Sequence, residues 1–207
     1  MKFILFSLGI CGATFGGAYA EGPAHDGRIQ REQYVSSLIK PGDVGAEIGV
    51  QMGQFAYYTL LQGKPSKLYL IDPWQLGVQG YGDPSLALTK PNGRNPEYEG
   101  VCKLFAPYPN VKILKMKSDD AVTLFQDRYF DYVYIDGEHS YAAVMRDLTN
   151  YFPKVKVGGL IIGDDYGWSG VGQAVQEFCM IHQKELIFQG DPYRAGTGGQ
   201  FAIRKIK

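Results

Sequence analysis

Val44-Gly45-Ala46-Glu47-Ile48-Gly49-Val50-Gln51-Met52-Gly53-Gln54-Phe55-Ala56 decides the fold. It opens as a short apolar strand and turns through Gly49 and Gly53. It then runs into Tyr57, Tyr58, Leu60 and Leu61 at helical spacing. A strand that turns through glycines into a helix N-terminus brings bare backbone close to a ligand. The plain alternative is that Gly49 and Gly53 only make a tight strand–helix turn. Their G-x-x-x-G spacing differs from the G-x-G-x-x-G of dinucleotide sites and disfavours a nicotinamide oxidoreductase. Glu47 precedes Gly49 by two positions, and Asp72 ends the next apolar run, Leu68-Tyr69-Leu70-Ile71. An acid at that strand tip is placed to accept hydrogen bonds from ribose hydroxyls.

Downstream of Asp72 the period breaks. Residues 73–96 carry repeated Gly and Pro with Trp74, Tyr81 and Arg94. So long an irregular stretch with aromatics reads as a lid over a cleft. A short helix over 97–105 and a third strand over 111–116 follow, and Ser118-Asp119-Asp120 is set to cap a helix over 121–125. Phe130 to Asp136 spell a fourth strand ending in an acid. Ser140 can cap the next helix, whose apolar face is Tyr141, Val144, Met145, Leu148 and Phe152. Leu160-Ile161-Ile162 is a fifth strand that closes in Gly163-Asp164-Asp165-Tyr166. A helical period runs from Val171 to Ile181, and strand-like runs cover 185–189 and 200–206.

Strands alternating with helices predict an α/β fold with a mostly parallel sheet and helices on both faces. Ligands then bind outside the carboxyl ends of the strands. Glu47, Asp72, Asp136 and the Asp164-Asp165 pair all fall at that rim. Helix capping accounts for one such acid, Asp119 for instance, but not for a row of them.

Upstream, residues 27–40 read as an amphipathic helix ended by Pro41-Gly42 and packed on the sheet edge. The first twenty residues stand apart. Met1-Lys2 is a positive start, residues 3–17 are apolar, and Ala18-Tyr19-Ala20 is a small-x-small cleavage pattern. This predicts a secretory signal peptide over 1–20, export, and one domain over 21–207 with no stable membrane insertion after cleavage. The 207 residues suit one full core, and 21 basic against 21 acidic residues leave no electrostatic footprint for nucleic acid. Cys102 and Cys179 read as separate thiols, and His25 and His182 as surface residues.

Two runs are the most specific: Asp131-Tyr132-Val133-Tyr134-Ile135-Asp136-Gly137-Glu138-His139-Ser140-Tyr141, and Gly158-Gly159-Leu160-Ile161-Ile162-Gly163-Asp164-Asp165-Tyr166. With acid-x-Gly-x-x-x-Gly and the strand-two acid, they resemble class I S-adenosylmethionine (SAM)-dependent methyltransferases. The D-G-x-H-x-Y and D-D-Y patterns are similar to those of macrocin-type sugar O-methyltransferases and, more distantly, catechol-type O-methyltransferases. The resemblance implies a Rossmann-like, doubly wound, seven-stranded, mostly parallel sheet with its last strand antiparallel. It implies SAM as cofactor, bordered by Glu47, Gly49, Gly53, Asp72, Ser118 and Asp119, and a small hydroxylated acceptor. It implies a divalent cation on Asp136, Asp164 and Asp165, where oxygen ligands suit Mg²⁺. Asp136 or His139 is the expected base. The competing expectation is a non-catalytic exported binding module that kept this fold.

Overall fold

The computed structural model describes residues 26–75, 95–189 and 199–206. The predicted signal peptide, most of the predicted lid and the turn-rich link after residue 189 lie outside them. Helix α1 (Asp26–Leu38) precedes β1 (Val44–Ile48), α2 (Gln54–Gly63), β2 (Lys67–Ile71), α3 (Pro96–Phe105) and β3 (Val111–Leu114). Then come α4 (Ser118–Ala121), β4 (Phe130–Ile135), α5 (Tyr141–Tyr151), β5 (Val155–Gly163), α6 (Ser169–His182), β6 (Leu186–Gln189) and β7 (Gln200–Arg204).

The strands form one seven-stranded sheet in the order β3-β2-β1-β4-β5-β7-β6. The first five run parallel, and β7 lies antiparallel to both β5 and β6. The strand order reverses between β1 and β4, where an open crevice forms at the carboxyl ends. The expected doubly wound sheet with a reversed last strand is the one observed.

Side chains alternate across each strand, so both faces are apolar. Val133, Ile135 and Ile161 face one core with Val144 and Leu148 of α5 and Val175 and Phe178 of α6. Tyr132, Tyr134, Leu160 and Ile162 face the other, with Phe55 and Leu60 of α2 and Val101 and Phe105 of α3. Helix α1 reaches the second core through α2 rather than the sheet edge: Ile39, just past its end, packs against Gly63. Among the described residues no helix is long and apolar enough to cross a membrane.

Caps explain two of the helix starts. Ser140 Oγ accepts from Ala143 N at 3.3 Å, as its sequence position predicts. Asn95 Oδ1 accepts from Tyr98 N ahead of Pro96, the ring that fits a first helical turn. The expected Ser118 cap does not form. Helix α4 already begins at Ser118, a 3-10 turn takes Val122–Leu124, and the Ser118 hydroxyl goes elsewhere.

Candidate active site

The crevice is an open cleft of about 520 Å³. Its walls are the β1–α2 turn, the tip of β2, the start of α4, the β4–α5 loop and the inner face of α5. Gly49 holds a left-handed φ of 84°. A Cβ there would collide with the Asp136 carbonyl, so the glycine lets the ends of β1 and β4 meet. Gly53 also has a positive φ, 76°, at the start of α2. Its bare side faces Val101 and Phe105 rather than the cleft, so it serves helix packing. Glu47 is buried and shares the sheet face of Leu70 and Tyr134, its register partners, beneath α2 and away from the lining.

Asp72 lines the cleft and braces its wall. Its Oδ2 accepts from Val50 N (2.9 Å) and Gln51 N (3.0 Å), and its Oδ1 from Trp74 N (2.6 Å). Trp74 Nε1 in turn donates to the Gln51 carbonyl. The acid expected to take ribose hydroxyls thus also fixes the loop on which the ligand would rest.

Ser118 and Asp119 line the cleft too, already engaged by α5. Ser118 Oγ donates to Asp147 Oδ1 at 2.6 Å. Asp119 pairs with Arg146 Nε at 3.0 Å and accepts from Asn150 Nδ2 at 3.0 Å. Asp147 is 4 % exposed. Burial pushes its carboxyl up to about 6, with Asp119 and Glu138 adding to the rise and Ser118 and Arg146 opposing it.

At the other end Asp136, His139 and Asp165 converge. His139 Nε2 lies 3.2 Å from Asp165 Oδ2 and 3.7 Å from Asp136 Oδ1. The neighbouring Asp136 carboxylate, then the charges of Asp165 and Asp164, hold the imidazole above its ordinary range against the opposing effect of burial. Asp165 takes a left-handed φ of 56°. That turn sends the two adjacent acids different ways, because Asp164 is buried and its Oδ1 accepts from Gln200 Nε2 at 2.7 Å. The half-exposed Trp168 ring lies 5.1 Å from the His139 ring.

Gly49, Asp72, Ser118, Asp119, Asp136 and His139 therefore share the cleft, and Asp165 joins it through His139. Glu47, Gly53 and Asp164 stand behind it. Sequence reasoning missed Asp147, Arg146 and Trp168. Asp147 had a signal: it stands three after Val144 and one before Leu148, an acid on the apolar face of α5.

No curated protein matches the chain. Solved structures do. NovP, described as an O-methyltransferase, is 22% identical, with a TM-score of 0.57 over 87% of this chain and 80% of its own. A Streptococcus thermophilus rRNA methylase is 10% identical, with a TM-score of 0.60 over 92% of this chain and 100% of its own. A SAM-dependent O-methyltransferase from Thermotoga maritima is 12% identical, with a TM-score of 0.58 over 86% and 65%. At such identities these likenesses speak for the fold. A family profile described as a methyltransferase domain spans residues 46–166, from within β1 to the turn after β5 that carries Asp165. That span holds the whole cleft and more than half of the chain, and the chain belongs to the methyltransferase-domain family.

Proposed function

We propose that the protein transfers the methyl group of SAM to a hydroxyl of a small acceptor, a sugar or catechol-like compound. The observation that carries this is His139, held between two carboxylates at one end of the cleft. The acceptor oxygen attacks the methyl carbon in line, an O–C bond forms, the C–S bond breaks and S-adenosylhomocysteine leaves. The acceptor proton must go to the protein. With Asp136 and Asp165 both beside Nε2, that nitrogen keeps its proton and the ring's basic atom is Nδ1. Asp136 and Asp165 are thus positioning residues, and His139 is the base.

A second reading has its own observation. One ligand atom each from Asp136, His139 and Asp165 lies within 4.8 Å of the others, a spacing that admits a divalent cation in place of the proton. Two carboxylates fit a hard ion such as Mg²⁺, while an imidazole nitrogen favours a softer one. Asp164, committed to Gln200, stands outside this set. When bound, such an ion would lower the pKa of an acceptor hydroxyl.

Methyl transfer from labelled SAM to sugars, catechols and hydroxy acids tests both readings. The expected result is a methylated hydroxyl with at least one acceptor, falling about 10²- to 10⁴-fold in His139→Gln. Loss of transfer in EDTA, restored by Mg²⁺, selects the cation reading, and full activity in EDTA rejects it. SAM binding without transfer to any acceptor would leave the exported binding module in its place. The export expectation is checked separately, by sequencing the N-terminus of protein from its own host. Glu21 as first residue supports cleavage, and an intact Met1 refutes it.

A further inference from the structure

Trp168 has no part in the chemistry just derived. It stands beside His139 but not among the residues that line the cleft. At 46 % exposed it is the most exposed aromatic ring among the described residues, and that open half of the indole adds nothing to the core. Its backbone, by contrast, is pinned. Trp168 N donates to the Asp165 carbonyl at 2.8 Å, and its own carbonyl accepts from Gly172 N at 2.9 Å in the first turn of α6. The bare side of Gly170 lets this start of α6 close on the His139 carbonyl. The ring is thereby held 5.1 Å from the imidazole and tilted 57° to it. On the elements that meet here, the polar side chains are committed within the protein. Ser140 Oγ donates to Glu138, Tyr141 OH donates to Glu177, and Gln200 holds Asp164. What is left to hold an acceptor beside His139 is the indole.

We propose that Trp168 is the platform for the acceptor: a planar aromatic hydroxyl compound lies against the indole and turns its hydroxyl edge toward His139. This rests on the methyl-transfer reading above and deepens it, choosing the aromatic acceptor over the sugar. A sugar brings a hydroxyl on nearly every ring carbon, and each must find a partner or lose its water on binding. A flat ring needs only an apolar face, and offset or edge-on aromatic pairs gain more than their buried area alone provides.

Transfer kinetics with labelled SAM and three acceptors, phenol, 2-naphthol and methyl glucoside, provide the test, beside calorimetric binding of S-adenosylhomocysteine. In the wild-type protein both aromatic acceptors should exceed methyl glucoside in kcat/KM. KM should fall about 3- to 10-fold from phenol to 2-naphthol, because the second ring extends the overlap with the indole. Trp168→Ala should raise the KM for 2-naphthol by about 10- to 100-fold and change kcat by less than about threefold. Trp168→Phe should restore most of that loss, while Trp168→Leu, apolar but without a π face, should not. Affinity for S-adenosylhomocysteine should hold in all three variants, since the ring lies outside the cleft lining. A wild-type protein that methylates methyl glucoside better than either aromatic acceptor overturns the proposal even if no Trp168 variant folds. A loss in Trp168→Ala that falls on kcat alone makes the ring a prop for His139 and overturns it too. Failure of the wild-type protein to bind S-adenosylhomocysteine sinks the SAM reading itself, and this proposal with it.

Discussion

At the scale of single residues, the acids of the rim differ by what surrounds them. Asp72 is satisfied by three backbone N–H groups, Asp164 by Gln200, and Asp119 by Arg146 and Asn150. Asp147 has one hydroxyl and little water, and its carboxyl rises to about 6. Its effect on stability has a definite sign. Between about pH 4 and pH 6 the folded protein holds a proton that the unfolded chain releases, so stability falls as pH rises through that window. Above it the full penalty is present, at most about 2–3 kcal/mol for a shift of this size. Asp147→Asn keeps an acceptor for Ser118 and removes the charge. Urea unfolding should show the variant more stable than wild type at pH 7.5, by about 1–2 kcal/mol, and no more stable at pH 4. An equal gain at both pH values would mean that ionisation is not the cause. An acid that weakens the empty fold at neutral pH is what a binding site, rather than a core, retains.

At the scale of elements, two junctions hold the chemistry in place. Gly170, at the start of α6, sits under the His139 carbonyl; a Cβ there would lie 2.5 Å from that oxygen and 2.9 Å from Tyr141 N. Gly170→Ala must therefore separate α6 from the β4–α5 loop. Overpacking against backbone costs about 1–3 kcal/mol, so the fold should survive. The rate of transfer should drop well beyond any change in cofactor affinity, because His139 and Asp165 lie on the two sides of that junction. Single-turnover rates set beside calorimetric affinities separate the two effects, and a variant with an unchanged rate refutes the coupling. The second junction is Lys205, whose Nζ donates to the carbonyls of Phe152, Pro153 and Val155 at 2.8–3.1 Å. It ties the tail after β7 to the turn between α5 and β5. Lys205→Met should cost about 2–3 kcal/mol in urea unfolding while leaving cofactor affinity alone. A loss under 0.5 kcal/mol, roughly the range of an inert surface change, would show these bonds to be replaceable by water.

Much at the element scale was legible in the sequence. Gly49, the apolar runs and Ser140 act locally, through φ, side-chain alternation and one cap, and each stands where its pattern put it. What was not legible depends on partners far along the chain. Ser118 looks like a cap but gives its hydroxyl to an acid 29 positions on. Adjacent Asp164 and Asp165 look like one pair, yet a left-handed turn and Gln200 of β7 part them. Gly53 looks like a ligand-facing glycine and serves α3 instead.

At the scale of the molecule, the cleft lies between two halves of the sheet that meet along the β1–β4 ladder and through the bonds between α4 and α5. The β1–α2 turn, the tip of β2 and α4 stand on one side; the β4–α5 loop and α5 stand on the other. A ligand that touches both sides binds the folded chain and not the unfolded one, so it must stabilise the whole by mass action. S-adenosylhomocysteine at 100 times its dissociation constant should add about 2.7 kcal/mol. For a domain of this size that raises the melting temperature by roughly 5–10 °C. The same total concentration of NADH should leave it unmoved, since Gln51 and Gln54 stand where a dinucleotide loop opening at Gly49 needs its second and third glycines. Hydrogen exchange then locates the effect. Slowing should appear at Val50 and Gln51 on one side and at Gly137 and Glu138 on the other, with the β6–β7 pair changed least. Protection confined to one side would mean that the ligand does not bridge the switch point. A shift with NADH that matches the one with S-adenosylhomocysteine would return the cleft to the dinucleotide class that its glycine spacing argues against.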